Sequence, residues 1–220
     1  MSQQSDLTFG FVDLAGFTAL TEAMGDEEAA NVAERFNELA RSVLDRDDHL
    51  VKSIGDAVML ASPTPAAGLM LAGRLLDVAE KEPNFPIARA GLHHGPAVAR
   101  GDDYFGASVN LAARVAAQAF GGQVLATGPV AHEARSLGLE VVSLGSFELK
   151  NVGDEIELFE VHIGPRLPGG AIDPVCRMRV ERDRAAGRLR FESADYWFCS
   201  LDCAGTFARN PVKFAKSGER

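Results

Sequence analysis

Four groups of side chains have types and spacing that could do chemistry. Asp13 ends the hydrophobic run LTFGFVD and is followed by Leu14-Ala15-Gly16-Phe17-Thr18. A small-residue turn that enters a helix exposes backbone N–H groups, which suit phosphate. A carboxylate beside such a turn can hold a divalent cation that bridges to the same phosphates. Asp56 sits in a second acidic turn, Gly55-Asp56. Two acids that share two cations can activate a hydroxyl and steady a leaving phosphate. Asn110 and Arg114 are spaced i,i+4 and so share one helix face. Arg can neutralise charge developing on phosphate oxygens, and Asn can position a ribose oxygen. Taken singly, each feature also fits a plain strand-end acid, a turn aspartate or a polar helix face.

The fourth group is Cys176, Cys199 and Cys203, the only cysteines in the 220 residues. Their odd number, in a chain whose N-terminus does not read as an export signal, disfavours a disulfide framework and favours thiolate metal ligation or free thiols.

The surrounding elements must bring these groups together. Residues 7–13 read as a buried strand. Thr18 is expected to cap a short helix and Asp26 to open a longer one, where Val32, Phe36, Leu39 and Val43 recur at helical spacing. Residues 49–54 and 57–61 read as strands joined at Gly55-Asp56. If they flank the first strand, Asp13 and Asp56 converge at one sheet edge. A helix over about 66–81, a strand over 87–93 and a GDDYFG loop leading to a helix over about 107–119 follow. GQVLAT reads as a strand, GPVAHEARSL as a short helix, and 140–149 with 156–162 as a closing hairpin. A βααββαβ core closed by αββ predicts an α+β, ferredoxin-like sheet with helices on one face. GPRLPGGA, with two prolines and three glycines, reads as a linker. The expected division is 1–163, a linker at 164–172, and a small module at 173–217.

Composition narrows the function classes. The chain is 46% hydrophobic and 24% charged, which is ordinary for a globular protein. Residues 171–220 carry 10 basic and 7 acidic side chains, and the remainder carries 12 basic and 24 acidic. So acidic a main body argues against a nucleic-acid partner. No apolar run is long enough for a membrane span. MSQQSDLTFGFVDL lacks a basic n-region. The expected location is the cytoplasm.

In combination, FVDLAGFT, VKSIGDAVM, DYFGASVNLAARV and the closing LKNV…ELFEV resemble the class III adenylate/guanylate cyclase catalytic domain over about residues 7–162. The resemblance implies two Mg2+ or Mn2+ ions held by Asp13, Asp56 and the Leu14 backbone. It implies pyrophosphate on the turn at Gly16, Phe17 and Thr18, and transition-state roles for Asn110 and Arg114. The two purine-selecting positions fall on Lys52 and Asp103. Lys150, in ELKNV, lies near a family lysine that contacts the phosphates. Leu14-Ala15 stands where bacterial relatives often have Ile-Ser. In the family, the metal and purine residues of one site come from opposite protomers, so a homodimer with two equivalent sites is expected.

The purine positions can be checked on chemistry. Adenine offers an acceptor at N1 and a donor at its 6-amino group, whereas guanine reverses both. Lys is donor-only and ionised Asp acceptor-only. Lys52 with Asp103 therefore favours ATP over GTP. The implied reaction is in-line attack of the ribose 3′-hydroxyl on the α-phosphate, giving cyclic AMP and pyrophosphate. The alternatives are a guanylate cyclase, which this pair disfavours, and a non-catalytic nucleotide-binding or regulatory module with a cyclase fold.

Residues 173–214, with DPVC-x-M, FCS-x-x-C and F-x-x-NP-x-x-F, resemble the YHS domain, a small module related to treble-clef and TRASH domains. Arg177 stands where that family usually has Gly. Cys176, Cys199 and Cys203 could converge on Zn2+ or another soft metal. Asp202, Asp173, water or a substrate-like ligand could supply the fourth position. Three free thiols filling a small core are the other reading. By analogy, such a module would tune the cyclase in response to metal or redox state.

Overall fold

The computed structural model describes residues 4–163, 170–176 and 178–215. The main body runs β1 (Gln4–Leu14), α1 (Phe17–Met24), α2 (Asp26–Ser42), β2 (His49–Ile54), β3 (Ala57–Ser62), α3 (Pro65–Lys81), β4 (Ala88–Arg100), β5 (Asp103–Phe105), α4 (Ala107–Ala116), β6 (Val124–Thr127), α5 (Gly128–Ser136), β7 (Glu140–Phe147) and β8 (Ile156–His162). The expected βααββαβ core is β1 to β4. A further strand, β5, and the pair α4–β6 stand between it and the closing αββ.

The sheet order is β2-β3-β1-β4-β6-β8-β7, with β5 paired to β4. Among the first four strands each neighbouring pair is antiparallel, in the ferredoxin-like arrangement, with β1 between β3 and β4. β4 and β6 run parallel.

Side chains alternate across a strand, so β1 presents two different faces. Val12 and Leu14 join Val58, Leu60, Ala90 and Leu92 in the large core. Helices α1, α2, α3 and α5 cover that face. In α2, Ala29, Val32, Phe36, Leu39 and Ala40 are buried at helical spacing, while Asp26, Glu27 and Glu28 suit the positive end of the helix dipole. Pro65 and the Thr64 cap, which accepts from the Ala67 N–H, start α3.

The opposite face is not bare, contrary to the expected one-sided packing. Phe9, Met59, Ala61 and Ala97 pack there with Val109 and Ala112 of α4. The reason lies in two glycines of β4. A Cβ on Gly91 would stand 2.0 Å from the Ala116 backbone N, and one on Gly95 would stand 2.6 Å from Ser108 Oγ. With no side chain at either position, α4 rests directly on the strand.

The small module comprises β9 (Gly170–Ile172), β10 (Arg179–Glu181), β11 (Gly187–Phe191), β12 (Ala194–Phe198), α6 (Leu201–Arg209) and α7 (Pro211–Ala215). β9 pairs with β10 and β11 with β12. The last three residues of the expected linker thus form a strand; residues 164–169, Arg177 and 216–217 lie outside the described residues. Val175, Met178, Phe198 and Phe207 join the main-body core cluster, and Met178 forms a β-bridge with Pro86.

Candidate active site

The sheet register sets the two acidic turns side by side. Asp13 lies directly between Ala57 on β3 and Arg89 on β4. Asp56 follows Gly55, whose φ of 61° makes the tight β2–β3 turn. The two carboxylates therefore meet at one end of the sheet. Burial pushes the Asp56 carboxyl above its ordinary value, and the charge of Asp13 adds to this. Hydrogen bonds from its own N–H and that of Leu14, together with the Arg89 charge, act the other way. Hard oxygen donors crowded in this way suit Mg2+ or Mn2+, which would offset the mutual repulsion.

Arg89 is the member of this site that the sequence reading missed. Its Nε donates to Asp13 Oδ1 at 2.5 Å and its Nη2 to Oδ2 at 3.1 Å. Its Nη1 is anchored on the Ala119 carbonyl at 2.7 Å. The available signal was a single Arg in the otherwise apolar stretch IARAGL, on the strand that must pair with the one bearing Asp13.

The turn after Asp13 differs in one respect from expectation. Gly16, not Thr18, is the N-cap of α1, in a left-handed conformation at φ 79°, and no side chain caps the helix. The Ala15 N–H is taken by the Ile87 carbonyl at 2.8 Å. The first N–H groups of α1, at Phe17 and Thr18, are left for an anion.

Lys52 and Asp103 meet directly. The Lys52 ammonium donates to both Asp103 oxygens, at 2.9 and 2.6 Å. That bond holds the Asp103 carboxyl below the usual carboxylate range. The expected GDDYFG loop is partly strand: Asp103–Phe105 pairs with Val98–Arg100 of β4. Tyr104 anchors β5 by packing on Phe9, with ring centroids 5.6 Å apart. The Phe105 ring lies 5.8 Å from Lys52 Nζ.

Asn110 and Arg114 share α4, Asn110 exposed and Arg114 half-buried, and among the described residues Arg114 has no carboxylate partner. Lys150 lies exposed in the β7–β8 connection after the buried Leu149. Among the described residues, no hydrogen bond or ion pair links the Asp13–Asp56 group, the Lys52–Asp103 pair and the α4 pair to one another.

The cysteines do converge. Sγ of Cys176 lies 3.3 Å from that of Cys199, which is 3.8 Å from that of Cys203. One ligand atom each from Asp173, Cys176, Cys199 and Cys203 fall within 4.8 Å of one another. Asp202 is exposed on α6 and does not belong to the cluster. Asp173 is 0% exposed; its Oδ1 accepts from the Val175 N–H at 2.8 Å, and its Oδ2 from the Cys199 N–H at 2.8 Å. Hydrogen bonds from Cys176 and Cys199 push the Cys203 thiol down. Three sulfurs around a tetrahedral zinc with bonds of about 2.3 Å would stand about 3.8 Å apart. The Cys199–Cys203 spacing of 3.8 Å equals that value, and the Cys176–Cys199 spacing of 3.3 Å is shorter.

The chain resembles known proteins over its main body. The family described as the adenylate and guanylate cyclase catalytic domain matches residues 1–162. A pH-sensitive adenylate cyclase of Mycobacterium tuberculosis is 38% identical over 169 residues, which are 74% of this chain and 42% of that protein. An adenylate cyclase of Streptomyces coelicolor is 36% identical over 110 residues, 50% of this chain and 29% of its own length. This chain thus spans less than half of these relatives. Among solved structures, a Trypanosoma brucei adenylate cyclase in its monomeric state superposes with a TM-score of 0.63 at 26% identity, covering 73% of this chain and 89% of that one. The adenylyl cyclase CyaB of P. aeruginosa gives a TM-score of 0.64 at 20% identity, covering 76% and 98%, which bears on the fold alone. With its acidic turns, its sheet order and a match to nearly all of the main body, the chain belongs to the adenylate and guanylate cyclase catalytic-domain family.

Proposed function

We propose that this protein is an adenylate cyclase that converts ATP to cyclic AMP and pyrophosphate. The observation that carries the choice of ATP is the Lys52–Asp103 contact. It sets a donor-only cation and an acceptor-only anion within 2.6 Å of each other, close enough to reach adjacent positions on one purine edge. Adenine N1 accepts from Lys52 and the 6-amino group donates to Asp103; guanine would face each group with its own kind.

Asp13, Asp56 and the Leu14 backbone would hold two divalent cations. When bound, these supply Lewis acidity at the ribose 3′-hydroxyl and at the leaving pyrophosphate. The chain's own side chains do the rest. The uncapped N–H groups of Phe17 and Thr18 receive phosphate oxygens. Arg89, beside Asp13, and Lys150 add positive charge on the pyrophosphate side. Arg114 balances charge at the α-phosphate, and Asn110 orients the ribose. Most of the rate gain comes from positioning and preorganised charge.

A homodimer would complete each site, with Lys52, Asp103, Asn110 and Arg114 of one protomer facing Asp13 and Asp56 of the other. Among the described residues no hydrogen bond or ion pair links these groups within one chain, which supports this reading. So do Ile54 and Phe105, each 53% exposed beside the purine pair, which a second copy would cover.

The module over 170–215 is read as YHS-type, holding Zn2+ or another thiophilic cation on Cys176, Cys199 and Cys203, with Asp173 as the fourth ligand. Asp173 Oδ2, which accepts from the Cys199 amide alone, keeps a lone pair for the cation. We place the protein in the cytoplasm, with no nucleic-acid or membrane partner; no described helix is long and apolar enough to cross a membrane. Purified protein incubated with ATP and Mn2+ should release cyclic AMP and pyrophosphate in equal amounts. Absence of both products at micromolar enzyme would leave the non-catalytic nucleotide-binding reading.

A further inference from the structure

A short run of contacts joins the cysteine cluster to the catalytic turn. The Asp173 N–H donates to the Met178 carbonyl at 2.9 Å, closing the segment that carries Cys176. Met178 forms the β-bridge with Pro86. The next residue, Ile87, accepts through its carbonyl from the Ala15 N–H at 2.8 Å. Ala15 lies between Leu14 and Gly16, two residues from Asp13, and Arg89 holds Asp13 from two residues beyond Ile87.

Packing follows the same route and leaves little slack. Met178 is 3% exposed and shares the core cluster with Phe85, Val175 and Cys176. At the far end, a Cβ on Gly121 would lie 3.1 Å from Ala15 Cβ and 3.2 Å from Ile87 Cγ2. Packed cores tend to switch between discrete arrangements rather than deform smoothly.

The cluster itself has two states to offer. Three sulfurs and a fully buried carboxylate bring their ligand atoms within 4.8 Å of one another in a poorly solvated place. A cation would take one ligand atom from each and tie together Asp173 and Cys176, Cys199 after β12, and Cys203 on α6. Resting on the cysteine-site reading above, we propose that this cluster is an effector site. A thiophilic divalent cation bound there fixes the Asp173–Met178 segment. Through Met178, Pro86, Ile87 and Ala15 it fixes the catalytic turn and tightens nucleotide binding. Such a coupling is reciprocal between the two sites.

The test uses the full chain with buffered Zn2+, reading zinc stoichiometry and the Kd of a fluorescent, non-cyclisable ATP analogue with Mg2+. We expect one zinc per chain above the Cys176→Ser level and a nucleotide Kd lower by about fivefold or more. The analogue should tighten zinc by the same factor. Met178→Ala should keep the zinc and lose most of the shift; should it not fold, Pro86→Gly tests the same seam. One zinc bound with nucleotide Kd unchanged would overturn the coupling while leaving the metal site. A shift that survives a folded seam variant would overturn the route. Zinc no higher than in Cys176→Ser would overturn the metal-site reading and the proposal with it.

Discussion

Exchanging the purine pair, Lys52→Glu with Asp103→Cys, should turn the nucleotide preference toward GTP. In the wild type, guanine would set its N1–H against the Lys52 ammonium and its carbonyl against the Asp103 carboxylate. A mispaired polar group costs about 1–3 kcal/mol when buried. Lys52 and Asp103 side chains are 38% and 30% exposed in the single chain, so the low end of that range applies, about 1–1.5 kcal/mol per contact. Two contacts give about 2–3 kcal/mol, or about 30- to 150-fold in kcat/KM for ATP over GTP. In the double variant, the carboxylate introduced at position 52 accepts from guanine N1–H and its amino group, and the thiol introduced at position 103 offers a weak donor to the carbonyl. The GTP/ATP ratio should rise by at least about 30-fold, mostly through loss of ATP turnover. The assay is initial rates of both cyclic nucleotides, separated chromatographically, at subsaturating substrate. A folded variant whose ratio moves less than threefold would refute the purine assignment.

Asp56→Ala should lower kcat/KM by about 10³-fold or more, the loss of roughly 4 kcal/mol of metal-assisted stabilisation. Its Tm should not fall, because the raised carboxyl pKa makes ionised Asp56 a cost to the folded state; a Tm drop above about 5 °C would assign it a structural role instead. Arg89→Met removes a positive neighbour that lowers the Asp56 pKa, so protons should compete with Mn2+ up to a higher pH than in wild type. Mn2+ affinity followed by paramagnetic resonance from pH 5 to 8 checks this, and an unmoved acid limb contradicts it. Gly91→Ala should force α4 off the sheet, since its Cβ would meet the Ala116 backbone at 2.0 Å. Overpacking of about 3 kcal/mol should lower Tm by about 6–12 °C, measured by calorimetry.

Legibility in the sequence followed range of interaction. The Asp13 and Asp56 turns were readable because a strand ending in a small-residue turn and a Gly-Asp hairpin are local signals, and the sheet then brings their ends together. The placement of α4 was not readable. It depends on Gly91 and Gly95 having no side chains on the face away from the main helices, and nothing local tells a close-approach glycine from a weak strand residue. Arg89 was lost for a similar reason. Its partner is 76 positions away, and only the β1–β4 register places the two side by side.

The cysteine module shows the same limit more sharply. Spacing alone left Asp202 and Asp173 equally available, although Asp202 is next to Cys203 in sequence. Helical geometry decides between them, because Asp202 in the first turn of α6 points to solvent while Cys203 is buried. Asp173 is held inside by the Val175 and Cys199 amides. A buried carboxylate that orders two chain segments and faces three sulfurs is costly unless something positive joins it. Its position next to the Met178–Pro86 bridge therefore makes the charge state of this cluster a matter for the cyclase body as well as for the module.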